Sequence, residues 1–430
     1  MTPIAVMPLT LPSPLVGEGR VRGRRNGRSG YLIKFERRTS MDENEIIKIR
    51  EEQFPQLRDC IYLSHCRMGI PPRVTLNTVR DFINGQSIRK DAAIVNLHEE
   101  ECIKEAAKLI HADENEIGFL RSTSEGIGAF SFMLNLKRGD SVILNDLEFM
   151  SNVIPWKILE KNEGIRLNIV PHQQGKILTS EIERRIDEQT KLIVISSVQE
   201  VNGFRCELEK IGELTQKKKI YFLVDAIQHI GTLALDVKKS NIDILIAGGH
   251  KGLLSPFGTG IFYVRKELIP EMRPPYVGWI NVDPENWSDL NQPSFSPIRN
   301  YTIRNDSAKK FMISVTDILP GIPALWAFLK WLNEIGVQTI EERIRYLTSV
   351  LIGELQGKVE IASPLEDRYR SGILTIRTKD DQRVAQELAE KKIYVSTTYA
   401  SGTGGIRIAP HFFNTTEEII EFAKQIKRLQ

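Results

Sequence analysis

From about residue 95 the hydrophobic positions alternate between two periods. EEECIKEAAKLIHA, SEGIGAFSFML, NVIPWKILEKN and ELEKIGELTQKKK place apolar residues on one face at helical spacing, whereas EIGFL, SVILN, IRLNIVP, KLIVISSV, IYFLVDA, IDILIAGG and GIFYVR are short apolar runs of strand length. TSEIERRIDE adds a helix, with Thr or Ser expected at its cap. Short strands separated by helices predict βαβ units and a mostly parallel sheet with helices on both faces. Residues 265–305 break the rhythm with Pro, Trp and Asn, as a loop region would. GIPALWAFLKWLNEIGVQTIEERIRYLTSVLIGELQG (321–357) then predicts a long helical stretch. GILTIRT, DQRVAQELAEKK, IYVST, IRIAP and TEEIIEFAKQIKRL predict a small α+β domain. The expected organisation is a helix over 41–60 packing on the small domain, a large α/β domain over 61–305, and the small domain over 306–430.

A chain of 430 residues suits two domains. No apolar run approaches the length of a membrane span. The net charge of +3 conceals an asymmetry: residues 1–40 hold eight of the 58 basic residues and two of the 55 acidic ones, so the remainder carries −3. A mildly acidic body argues against a nucleic-acid footprint. The first 40 residues, rich in Pro, Gly and Arg, read as a disordered extension, and MDENEIIKIREEQFPQL makes Met41 a candidate natural start with an acidic first helical turn. The four cysteines, Cys60, Cys66, Cys102 and Cys206, lack the spacing of a zinc site or a disulfide scaffold. Reduced thiols in a cytoplasmic protein are the simplest reading.

In open α/β sheets, ligands bind beyond the carboxyl ends of the strands. Three clusters fall there: RSTSEG after EIGFL, DAIQH after IYFLV, and GGHKG after IDILIA. Thr123 and Ser124 offer hydroxyls at a helix start, Gly126 allows close approach, and the helix adds free N–H groups suited to one phosphate ester. The alternative is an ordinary helix cap. Asp225 ends a buried-type strand, where a carboxylate needs a cationic or hydrogen-bonding partner, although an Asp capping a turn would look the same. Lys251 follows another apolar strand and must snorkel into water or be used chemically. Phe149 could present its ring to a planar ligand or be a core aromatic, and Arg407 could clamp a carboxylate or be solvated. One cofactor accounts for all five features. Pyridoxal phosphate needs a lysine for a Schiff base, an acid beside its ring nitrogen, a phosphate cup and an aromatic cover, and its amino-acid substrate needs an arginine.

VDAIQHIGTLALDVKKSNIDILIAGGHKGLLSPFGTGIFYV (224–264) resembles the cofactor segment of class V, fold type I pyridoxal-phosphate enzymes, which include cysteine desulfurases, isopenicillin-N epimerase-like proteins, kynureninase and small-substrate aminotransferases. YLSHCRMGIPP, RSTSEG, LEFMSNVIPW, SSVQEVNGFRCEL and RIAPHFFNTTEEI extend the resemblance over residues 60–420 in the family's order. It implies that Lys251 carries the cofactor and that Asp225 pairs with its ring nitrogen. Gln228 would contact its phenolic oxygen side, and Thr123, Ser124 and His250 would hold its phosphate. Phe149 would stack on the ring and Arg407 would bind the substrate carboxylate. It further implies a homodimer acting on a small amino acid, as an aminotransferase first and otherwise as an epimerase, a lyase or a low-activity cofactor-binding sensor. Four positions depart from the pattern. KKIYVSTTYASGTGGIRIAP holds no Cys where desulfurases carry their nucleophile, which disfavours that reaction. Glu200 replaces an Asn facing the cofactor. Val315, flanked by Ser314 and Thr316, stands where a Thr reaches a phosphate across the dimer, and Gly248 stands where a Ser often binds it. Cys66 is expected as a small packing residue.

Overall fold

The structure, a computed structural model, describes residues 41–88, 98–290, 292–314 and 318–429. The expectations for residues 1–40, Val315 and Thr316 lie outside the described residues. The chain opens with α1 (Glu43–Gln53), β1 (Ile61–Tyr62), α2 (Arg73–Ile88) and α3 (Glu99–Ile110). The alternating region follows as β2 (Ile117–Leu120), α4 (Thr123–Met133), β3 (Ser141–Asn145), α5 (Ile154–Glu163), β4 (Arg166–Val170) and α6 (Thr179–Glu183). It continues as β5 (Thr190–Ser196), α7 (Leu208–Lys218), β6 (Tyr221–Asp225), β7 (Ile244–Gly248) and β8 (Gly260–Val264). Strands β2 to β8 form one seven-stranded sheet in the order β2-β8-β7-β6-β5-β3-β4. All pairings are parallel except those of β8, which runs antiparallel to β2 and β7. The central strands are buried on both faces, so their sequences are apolar without alternation. The expected α/β architecture is therefore the observed one.

Two local expectations are corrected. The stretch 321–357 is two helices, α8 (Gly321–Ile335) and α9 (Val337–Leu355), because Gly336 between them takes φ +92° and ψ 123°. Helix α6 has Leu178 at its N-cap with no side-chain hydrogen bond, so Thr179 and Ser180 lie inside the first turn. Other ends behave as written: Asp42 caps α1 by accepting from Glu45 N–H at 2.9 Å, and Ser122 caps α4 by accepting from Glu125 N–H at 3.1 Å.

Helix α8 is apolar nearly all round and packs on α2 and α3. Downstream lie β9 (Glu360–Ile361), β10 (Leu374–Arg377), α10 (Asp381–Glu390), β11 (Ile393–Tyr394), β12 (Ser396–Ala400), β13 (Thr403–Ile408) and α11 (Thr416–Leu429). An antiparallel sheet, β12-β13-β10-β9, covers a core that includes Leu351, Ile376, Ile406, Ile408 and Phe422. Helix α1 is tied to this region by ion pairs of Arg50 with Glu418 and of Glu43 with Arg343, and β1 pairs parallel with β11.

The two sheets meet at residues 200–203. Four successive backbone carbonyls there accept hydrogen bonds from side chains of the downstream region. Glu200 accepts from Arg407 (3.1 Å), Val201 from Thr375 (3.1 Å), Asn202 from Ser363 (2.6 Å) and Gly203 from Ser371 (2.7 Å). A buried turn has to satisfy its carbonyls, and here the small sheet satisfies them. The β12–β13 hairpin turns through Ser401 and Gly402, both at positive φ as a tight two-residue turn demands. Its tip rests on the large domain: Ser401 Oγ donates to Asp146 O (2.7 Å), and His172 Nε2 donates to Ser401 O (2.9 Å).

The two turns respond differently to an added methyl group. A Cβ at Gly203 would lie 2.3 Å from Ile373 O with φ +71°, whereas at Gly402, φ +80°, nothing lies within 4 Å. Gly203→Ala is expected to cost about 3 kcal/mol or more, and Gly402→Ala about 1 kcal/mol. Urea unfolding midpoints of the two variants check this.

Candidate active site

The strand β7 delivers Lys251 into a cavity of about 530 Å³ at the carboxyl end of the large sheet. After Gly248 the chain turns tightly. Gly249 N–H donates to Thr259 O (2.8 Å), Ser255 N–H to Gly249 O (3.0 Å), and Leu254 N–H to Lys251 O (3.1 Å). The segment containing Gly69 lies directly on this turn: Gly69 N–H donates to His250 O (2.7 Å), and a Cβ at Gly69 would stand 2.2 Å from Lys251 O. With its backbone enclosed, the lysine extends into the cavity, and its side chain is only 12% exposed. Snorkelling is excluded. Burial pushes its pKa down, while the Glu200 and Asp225 carboxylates act against that shift.

Asp225 ends β6, one strand away from β7. Its Oδ1 accepts from Ile227 N–H at 3.0 Å, and among the described residues no ion pair engages it. Burial raises its pKa to about 7; the Ile227 N–H opposes the rise and the Glu148 charge adds to it. A carboxylate in this state fits a ligand that brings a cationic or protonated nitrogen.

The start of α4 lies beside Gly248. Thr123 Oγ1 accepts from Gly248 N–H at 3.0 Å, and the Ser124 and Ser151 hydroxyls are 2.6 Å apart. A Cβ on Gly248 would come within 3.2 Å of Thr123 Oγ1 and 3.3 Å of His250 Nδ1, so glycine keeps this recess open. Gly126 has a different task from the one expected. A Cβ there would lie 2.8 Å from both Ile246 and Leu120, so it serves packing of α4 on the sheet. His250 is held largely neutral, its pKa lowered to about 4 by burial and by the Lys251 charge. Phe149, 43% exposed, lines the rim.

Arg407 enters from β13 and is 6% exposed. Its Nη1 lies 3.3 Å from Glu200 Oε2 and also donates to the Glu200 carbonyl, and Glu200 Oε2 is 4.0 Å from Lys251 Nζ. Glu200 has thus turned toward the two cations. Gln228 Nε2 donates to the Cys66 carbonyl (2.9 Å), and Cys66 lines the cavity with Sγ 3.6 Å from Ser396 Oγ. All eight residues singled out from the sequence, Thr123, Ser124, Phe149, Asp225, Gln228, His250, Lys251 and Arg407, line this one cavity.

Sequence reasoning missed Arg67, Ser151, Ser196, Thr397 and Thr398 as lining residues. It also missed Glu148, whose carboxylate accepts from Asn152 (2.8 Å), Ser196 N–H (2.8 Å) and Gln199 (3.0 Å). That carboxylate joins the ends of β3 and β5 beneath the cavity. The signal was a Glu directly after a strand end, beside Phe149. Chemically, the arrangement offers a buried amine nucleophile, an acid for a cationic ring atom, a hydroxyl-lined recess for an anion, and a guanidinium.

A model of the family "Aminotransferase class-V" matches residues 83–422. A probable cysteine desulfurase of Pyrococcus abyssi is 24% identical over 88% of this chain and 96% of its own, and an uncharacterized aminotransferase of Bacillus subtilis is 24% identical over 85% and 93%. In fold, the chain is similar to an apo cysteine desulfurase from Thermococcus onnurineus (TM-score 0.80, 23% identity, 91% and 98% covered). It is also similar to the cystine C–S lyase C-DES, solved with its product cysteine persulfide (0.77, 20%, 87% and 99%). Another structure of that lyase holds glycine covalently linked to its PLP cofactor. With its family's model spanning the sheet, the cavity and the small domain, this chain belongs to the class-V aminotransferases.

Proposed function

We propose that the protein is a pyridoxal-phosphate enzyme acting on the amino group of a small amino acid, with transamination as its reaction. One observation carries this reading: a buried lysine amine and a buried carboxylate without a cationic partner share one cavity on adjacent strand ends. When bound, the cofactor supplies an electron sink for charge developing at the substrate Cα. Lys251 would hold it covalently and, once freed by the substrate, would act as a neutral amine moving a proton at Cα; its lowered pKa suits that task. Asp225 would keep a proton on the ring nitrogen. Thr123, Ser124 and His250 would hold the phosphate in the recess beside Gly248, and Phe149 would cover one ring face. Gln228 keeps a second amide N–H for the phenolic oxygen, and Arg407 would orient the substrate carboxylate.

The working form we propose is a homodimer in the cytoplasm. Phe132, Met150, Ile154 and Ile158 expose apolar surface on α4, α5 and the turn between them, and Cys60, Cys66, Cys102 and Cys206 are all unpaired. Among the described residues no helix is long and apolar enough to cross a membrane. A second reading, cleavage of a carbon–sulfur bond, is favoured by Cys66 in the cavity wall; Cys206 is buried, with its thiol donating to Ser196 O.

Purified protein given pyridoxal phosphate should show a visible absorption band that is lost or displaced in Lys251→Ala. A wild-type protein that stays colourless would overturn the reading. Asp225 gives a pH test. Its folded pKa lies above its unfolded value, so in the cofactor-free protein its contribution to stability falls as pH rises from about 4 to about 7. Asp225→Asn should flatten that decline in melting temperature, and should gain less than wild type from added cofactor. The second reading predicts sulfide release from cysteine, at least about tenfold lower in Cys66→Ser; alanine-forming activity unaffected by that change would leave transamination as the chemistry.

A further inference from the structure

The reading above gives Glu200 no part, yet its carboxylate stands inside the cavity between two cations, 3.3 Å from Arg407 Nη1 and 4.0 Å from Lys251 Nζ. Its backbone is fixed, because the carbonyls of residues 200–203 are all bonded to the small-sheet region. Arg407 is not a bare cation awaiting an anion. Its Nη1 is shared between the Glu200 carbonyl and carboxylate, while its Nε is buried and has no partner among the described atoms. The two side chains form a fixed ion pair with unfilled donors.

Such a pair discriminates by charge type. A ligand bringing only a carboxylate would set it against Glu200 on one guanidinium, and like charges at that spacing repel strongly in a partly buried site. A ligand bringing only an ammonium would meet Arg407 and Lys251 without an anion to offset them. An α-amino acid brings both charges, one carbon apart, to two partner groups that are themselves adjacent.

We infer that Glu200 and Arg407 together clamp the zwitterion of an α-amino acid, and that Glu200 accepts the proton of the incoming ammonium. In that step one substrate N–H bond breaks, an O–H bond forms on the Glu200 carboxylate, and the nitrogen keeps its lone pair. The freed amine then lies beside Lys251 Nζ, the nitrogen it must replace. This assignment rests on the amino-acid enzyme reading and deepens it: the substrate must carry both charges, and simple amines and carboxylic acids are rejected.

The test compares propionate with L-alanine, which differ by the ammonium group, on the cofactor-loaded protein by calorimetric and absorbance titration. Wild type is expected to prefer alanine by at least about tenfold. In Glu200→Gln, propionate should bind about tenfold more tightly and alanine about tenfold more weakly. Glu200→Asp should restore the preference in part. An alanine-to-propionate ratio unchanged within about threefold in Glu200→Gln would overturn the clamp. So would a wild type that binds propionate as well as alanine, or one that binds neither. Loss of the cofactor reading has a separate signature, the missing visible band, and the same selectivity can then be titrated on the cofactor-free cavity.

Discussion

The site depends on how one buried turn satisfies its backbone. The carbonyls of residues 200–203 would be stranded without water if the small sheet moved away, and each stranded acceptor would cost on the order of 1–3 kcal/mol. Arg407, Thr375, Ser363 and Ser371 fill them. The same four contacts set the distance between the strand ends that carry Lys251 and Asp225 and the strand that carries Arg407. Docking of the small sheet and assembly of the cavity are therefore one event. Gly203, left without a side chain so that Ile373 O can approach, is part of that contact.

Charge balance follows from this frame. The cavity gathers Lys251, Arg407, Glu200 and Asp225, with His250 held largely neutral by burial and the lysine charge. The pairs are unequal. Glu200 has two cations within 4.0 Å, whereas Asp225 has only a backbone N–H and titrates near neutrality. The unfilled position lies beside Asp225, on the side of the cavity where a ligand's own positive charge would settle.

Much of this was legible in the sequence. Continuous apolar runs marked buried parallel strands, and the rule that ligands sit at their carboxyl ends located RSTSEG, Asp225 and Lys251 in one crevice. Three features were not legible, each because a neighbour distant in sequence decides it. Gly126 looked like a residue for close phosphate approach, but Ile246 and Leu120 claim its space. Glu200 looked set against the cofactor's oxygen, but Arg407 draws its carboxylate elsewhere. Cys66 looked like packing, and only the course of the Gly69 segment across the Lys251 turn brings it to the cavity wall. The break at Gly336 was visible as a glycine in the helical run, but apolar periodicity on both sides concealed it.

The β12–β13 hairpin has a kinetic consequence. It forms part of the cavity rim through Thr397 and Thr398, and its two-residue turn is fastened to Asp146 and His172 at the opposite edge. A rim held at its tip does not swing like the long mobile lids that gate many enzymes. Exchange of ligands through this mouth is then governed by side-chain rotations on the nanosecond scale rather than by loop opening over microseconds to milliseconds. Turnover in such a protein is timed by chemistry at Lys251, not by the traffic past its rim.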